Sequence, residues 1–156
     1  MDNLDREYRS MLRQIFGSDD KHKVYVVNGA PASGKTSYVL SKRQPGDLVL
    51  DLDMICAALG GTDKLYEDHK PYLDVALAVR DVVFDKIENR EGKWRNAYVI
   101  TASSDRNYVR NLADRLGGEI VSMNTTKEQC IEHARHDERR QANLNEHLTL
   151  IEKWFE

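Results

Sequence analysis

Cysteine is scarce in this chain: Cys56 and Cys130 are the only two. They lie far apart and outside any CxxC pattern, which speaks against a disulfide framework or a structural zinc site and fits a reducing cytoplasm. No apolar run approaches the roughly 18 residues that a membrane span needs. The opening MDNLDREYRS has no apolar signal core and begins with acids, so no secretory signal is expected. There is no basic excess either. A net charge of −3 leaves no broad nucleic-acid footprint, though a local basic groove is compatible with it. No internal repeat or low-complexity tract occurs. What remains is an ordinary soluble composition, 40% hydrophobic and 31% charged, over 156 residues, enough for one domain with one core.

Strand and helix patterns alternate along the chain. Leu4, Tyr8, Met11, Leu12 and Ile15 recur at helical spacing over residues 3–16, and Gly17 to Asp20 should end that helix. Residues 24–27 (VYVV), 48–53 (LVLDLD), 96–101 and 119–123 read as strands. Helices are expected from Gly34 to before Pro45, over 54–59, 72–89 and 105–116, and at the C-terminus, where Leu144, Leu148, Ile151 and Phe155 form one stripe. In the helix at 105–116, Tyr108, Val109, Leu112, Ala113 and Leu116 should point inward. Thr125 and Glu128 have capping-box spacing ahead of a further helix. Residues 61–71 and 137–142 read as polar loops. Alternating strands and helices predict a parallel sheet covered on both faces, a three-layer α/β/α arrangement. Ligands in such folds bind beyond the carboxyl ends of the strands.

One motif dominates. Residues 29–36, GAPASGKT, match GxxxxGK[ST], and they follow a predicted strand and open a predicted helix, as a P-loop requires. Gly29, Ala30, Pro31, Ala32, Ser33, Gly34, Lys35, Thr36 and Ser37 are the expected nucleotide-binding residues. Lys35 should reach the β- and γ-phosphates of ATP or GTP, and the Thr36 hydroxyl should ligate Mg²⁺. The third strand ends in Ala-Ser-Ser rather than an acid, and no NKxD motif occurs, which lowers motor ATPases and GTPases as readings.

Acids instead end the second strand. Asp51 and Asp53 would share one side of an extended segment. That strand should lie next to the P-loop strand, which puts both acids near the γ-phosphate. Asp53 would then accept a proton from an attacking hydroxyl, or else simply cap the following helix. Asp51 would contribute through Mg²⁺-bound water or substrate binding. On the long helix, Arg80 falls amid Leu73, Ala76, Leu77, Val83, Phe84 and Ile87. A guanidinium there needs a partner, either a substrate phosphate or a buried acid such as Asp51. Arg135, Arg139 and Arg140 sit in a charged segment near 135–142 that fits a mobile lid over the transferred phosphate. His133 and His136 read as surface residues, and Trp154 and Phe155 as packing groups.

Taken in order, GAPASGKT, LVLDLD, the long amphipathic helix and the DERR segment make residues 23–155 resemble small P-loop kinases of the zeta-toxin and polynucleotide-kinase branch. The chain is most similar to short phage and prophage proteins described as ATP-binding or ATPase-like. The resemblance implies a P-loop NTPase fold over 21–156 with a small helical lid, preceded by a helical extension at 1–20 that could engage a protein partner. It further implies Asp53 as base and Arg135 and Arg139 as lid arginines. The expected activity is phosphoryl transfer from ATP to a hydroxyl of a small molecule or a nucleic-acid 5′ end. The alternative is a regulatory ATP-binding module or weak ATPase. Such kinases carry an arginine three residues after the base. Here that place holds Cys56, which speaks against a 3′-phosphorylated or polynucleotide acceptor.

Overall fold

β-Branched and aromatic residues set the sheet. The computed structural model describes residues 3–16 and 22–156. In it β1 (Val24–Asn28), β2 (Leu48–Leu50), β3 (Ala97–Thr101) and β4 (Glu119–Ser122) form one parallel sheet in the order β2-β3-β1-β4. Side chains alternate across it. Val24, Val26, Ala97 and Val99 face α4 (Leu73–Glu88) and α5 (Arg106–Leu116) in one core, built with Phe84, Ile87, Leu112 and Leu116. Val27 and Tyr98 face the other way, against Val39 of α2 (Lys35–Lys42). Helices thus cover both faces, as expected of a parallel sheet. A third cluster joins Ala30, just after β1, to Cys130 and Ala134 of α6 (Lys127–His136) and Ile151 of α7 (Leu144–Trp154), with Trp154 and Phe155 packed on it.

Strand order corrects one expectation. β2 does not neighbour β1; β3 lies between them, paired to both. The helix after β1 and the helix after β3 lie on opposite faces of adjacent strands. The chain therefore parts between their carboxyl ends, where open α/β sheets form a crevice. Asn28 and Ser103 tie that point together: Asn28 Nδ2 donates to Ser103 O at 2.9 Å, and Ser103 N–H donates to Asn28 Oδ1 at 3.0 Å.

Several boundaries also move. β2 stops at Leu50; Asp51 keeps an extended backbone as the N-cap of α3 (Leu52–Leu59), and Asp53 already lies in that helix, so the two do not share one extended segment. The capping box is Thr126 with Gln129, one residue on from the expected pair. Residues 138–143 are a 3₁₀ helix rather than irregular. It is fixed by Asp137, which accepts from Arg139 N–H, and by Gln141, whose Nε2 donates to the carbonyls of Ala134, Arg135 and Asp137. Tyr108 is 41% exposed, not buried with its helix neighbours.

The helix α1 (Asn3–Phe16) forms as its periodicity predicts, but its apolar stripe faces outward. Leu4, Tyr8, Met11 and Ile15 are exposed. Its polar side docks on α4 and the turn after it, through Arg6 to Asp85 and Glu88 and Arg9 to Glu91. Such surface pairs contribute about 0–1 kcal/mol each. Its expected end at Gly17 to Asp20 lies outside the described residues. Among the described residues, no helix is long and apolar enough to cross a membrane.

Candidate functional site

The loop from Gly29 to Thr36 is shaped by its glycines. A Cβ on Gly29 would sit 2.7 Å from Ser33 Oγ and 2.8 Å from Met123 Cβ, so no side chain fits there. Gly34 turns the chain into α2 at φ +95°, a region that L side chains rarely adopt. Ala32 also has positive φ, +61°, a strained conformation for a residue with a Cβ. Neighbours brace it. Thr125 Oγ1 donates to Ser33 O at 2.8 Å, and His133 Nδ1 lies 3.0 Å from Ala32 O. The first-turn N–H groups of α2 at Lys35, Thr36 and Ser37 have no carbonyl four residues back within the helix. Ser33 Oγ is buried with no hydrogen-bond partner. Free donors at a helix N-terminus beside a partly buried lysine form a cradle for an anion.

Lys35 Nζ donates to Gly29 O at 2.6 Å and Ala30 O at 2.8 Å. Burial pushes its pKa down to about 8, against the charge of Asp51, which holds it up. Asp51 is buried and caps α3, its Oδ1 accepting from Asp53 N–H at 2.9 Å. The capping role considered for Asp53 therefore belongs to Asp51, and the Asp53 carboxylate is free of it. Asp53 is 44% exposed at the cleft, with Oδ1 3.1 Å from His69 Nδ1. The acids reach Lys35 across β3 because α3 starts directly at the strand end, not because β2 adjoins β1.

Burial, with help from the Asp53 charge, pushes the Asp51 pKa up to about 6, from 3.8. A raised carboxyl pKa favours the protonated native form. Its stabilising contribution is therefore complete below about 3.8 and is lost as pH rises through about 6. Lys35, with a folded pKa of about 8, stays protonated throughout that window. Asp51→Asn keeps a capping side chain and removes the titration. The wild type should thus lose up to about 3 kcal/mol relative to Asp51→Asn between pH 4 and 6.5. Chemical denaturation of both proteins across that range checks it; a pH-independent difference would contradict it.

The opposite wall carries the arginines. Arg140 is buried: its Nη2 donates to Tyr66 Oη at 2.7 Å, its Nη1 to His147 Nδ1 at 2.7 Å, and its Nε lies 3.3 Å from Asp137 Oδ2. Burial holds the His147 pKa down, which suits an acceptor nitrogen. Arg139 also lines the cleft, over half exposed and paired to Asp137 through both Nε and Nη2. Arg135 is exposed and does not line it; Arg140 is the inward arginine. The segment holds both because the Asp137 cap and the Gln141 clamp turn Arg140 inward and leave Arg135 on the outer side of α6.

Arg80 lines the cleft too, beside Leu73, Phe84 and Tyr108. It does not pair with Asp51. Among the described residues its ion-pair partner is the adjacent Asp81 at 3.4 Å, and its guanidinium lies 5.2 Å from the centre of the Phe84 ring. Its Nε is buried without a hydrogen-bond partner. The whole cleft measures about 1200 Å³, above the roughly 300–1,000 Å³ of a single-ligand pocket.

His69 and Tyr66 were not among the expected site residues. They lie in a loop with no periodic pattern, so only their three-dimensional placement brings them to the cleft. No three His, Cys, Asp or Glu side chains cluster to hold a metal unaided among the described residues. Thr36 in the loop and the acids Asp51 and Asp53 are among the side chains with oxygen ligand atoms that line the cleft. No protein-family model matches the chain, and comparison with curated proteins finds no match.

Proposed function

We propose that this chain is a P-loop NTPase-type phosphotransferase that moves the γ-phosphoryl of ATP (or GTP) to a hydroxyl of a nucleoside, nucleotide or nucleic-acid end. One observation carries the reading: a glycine-shaped anion cradle with a partly buried lysine shares its cleft with a carboxylate, Asp53, that no helix cap consumes. The cradle N–H groups and Lys35 hold the phosphates. Thr36, with Asp51 acting through water, would hold Mg²⁺, which when bound neutralises phosphate charge. Asp53 takes the proton of the acceptor hydroxyl. As the acceptor oxygen bonds to phosphorus, the bond to the bridging oxygen of the departing nucleoside diphosphate breaks. Arg139 and Arg140 supply positive charge on the far wall.

A second reading, an ATP-binding module or weak ATPase that works with a partner, draws support from the outward stripe of α1, an apolar surface suited to another protein. A radiolabelled γ-phosphate transfer screen over nucleosides, nucleotides, 5′-hydroxyl DNA and RNA, and sugar nucleotides separates the two. Label in an acceptor supports the transferase. Label released only as inorganic phosphate supports the module.

The acceptor side should depend on Arg80. With no buried acid beside it, Arg80→Met should cost the apo protein no more than about 2 kcal/mol, the scale of a cation–π contact. The loss should appear as a raised acceptor KM or a lowered kcat. Thermal denaturation together with steady-state kinetics checks this. A large stability loss without a kinetic defect would remove Arg80 from the acceptor site.

A further inference from the structure

The segment between α3 and α4 carries a histidine with both ring nitrogens engaged. His69 Nδ1 lies 3.1 Å from Asp53 Oδ1, and His69 Nε2 lies 2.8 Å from Leu65 O. Both neighbours are acceptors. A neutral imidazole has a single N–H and satisfies one of them; a ring with two N–H groups satisfies both. The same contacts exclude the ring as a base, since a carbonyl already occupies the nitrogen that Asp53 leaves open.

The segment is held in place from the other wall. Arg140 donates to Tyr66 Oη at 2.7 Å and stacks 4.1 Å from the centre of its ring, and Asn143 Nδ2 donates to Tyr66 O at 2.8 Å. Leu65, whose carbonyl meets His69, immediately precedes Tyr66. The anchored stretch thus carries the ring to the carboxylate. The charged and titratable groups around His69 are Asp53 and Asp51 from α3, Lys35 from α2, and Asp68 and Lys70 beside it in the chain, with Arg140 behind Tyr66.

Resting on the phosphotransferase reading, we propose that His69 is the positioning residue for Asp53, donating from Nδ1 to Oδ1 so that Oδ2 is presented to the acceptor hydroxyl. The hydroxyl proton then passes to Oδ2, the acceptor oxygen bonds to the γ-phosphorus, and the nucleoside diphosphate leaves. His69 exchanges no proton with substrate. It fixes the carboxylate.

Two measurements on the full chain test this separately. In ¹⁵N-histidine NMR, with the His69 signals assigned by their absence in His69→Gln, Nδ1 should carry an N–H, and its signal should move in Asp53→Asn. A His69 Nδ1 that carries no proton, or whose signal is unaffected by Asp53→Asn, would overturn the pair. In kinetics, His69→Ala should lower kcat roughly ten- to a hundred-fold, the span of one charge-assisted hydrogen bond, with ATP affinity unchanged. His69→Gln, which retains a donor, should recover part of the rate. A His69→Ala enzyme with wild-type kcat overturns the positioning role and leaves the transferase reading intact. A wild type that transfers phosphate to no acceptor overturns the transferase reading and the positioning role with it, and the ring-nitrogen result still reports on the pair.

Discussion

Asp53→Asn should bind Mg·ATP within a few-fold of the wild type and transfer phosphate roughly 10²–10⁴-fold more slowly, the span of a lost general base. The expectation rests on a division of labour between neighbouring acids. Asp51 caps α3 by accepting the N–H of residue 53, a backbone group that the substitution leaves in place. The amide is nearly isosteric and keeps an oxygen that can accept from His69. The helix should therefore stand, and the specific loss is the ability to take a proton. Steady-state kcat with a hydroxyl acceptor, together with calorimetric ATP affinity, checks this. Transfer at the wild-type rate would leave Asp53 as no more than the partner of His69.

Lys35→Ala should abolish the stabilisation that Mg·ATP gives the wild type. At a hundred times Kd, a ligand adds about 2.7 kcal/mol to a folded protein, or roughly 5–11 °C in Tm for a chain of this size. The variant should show none of it. Its apo fold should persist, because the substitution withdraws a charge whose burial is already costly, as the pKa of about 8 records. The lost bonds run to Gly29 O and Ala30 O, two backbone carbonyls at the start of the loop after β1. Thermal denaturation with and without Mg·ATP measures both quantities. An equal ligand-induced shift in the two proteins would remove Lys35 from phosphate binding.

Local patterns were legible in the sequence, and long-range ones were not. The β-branched run at 24–28, the glycine loop and the helical periodicity of 106–116 depend on neighbours within a few residues, and each forms where expected. Strand order depends on contacts across the chain, so nothing in LVLDLD revealed that β3 would separate it from β1. The caps moved by one or two residues because competing frames were available: Thr125 and Thr126 each have an acid or amide three positions on, and Asp51 and Asp53 each suit a helix start. Arg80 was placed correctly on its helix, but α4 leaves that edge of its face open to a cleft instead of to a buried acid. Arg140 outranks Arg135 in the site because the Asp137 cap fixes the phase of a 3₁₀ turn that no helical wheel anticipates. His69 left no sequence signal, since its role depends on where Tyr66 is anchored.

Backbone hydrogen exchange with and without a nonhydrolysable Mg·ATP analogue tests the central claim most directly. Phosphate oxygens that accept from the cradle should slow exchange of the amides from residue 29 to residue 37, proline excepted, with little change along the exposed face of α1. Protection confined to other segments, with residues 29–37 exchanging as fast as in the free protein, would contradict the account.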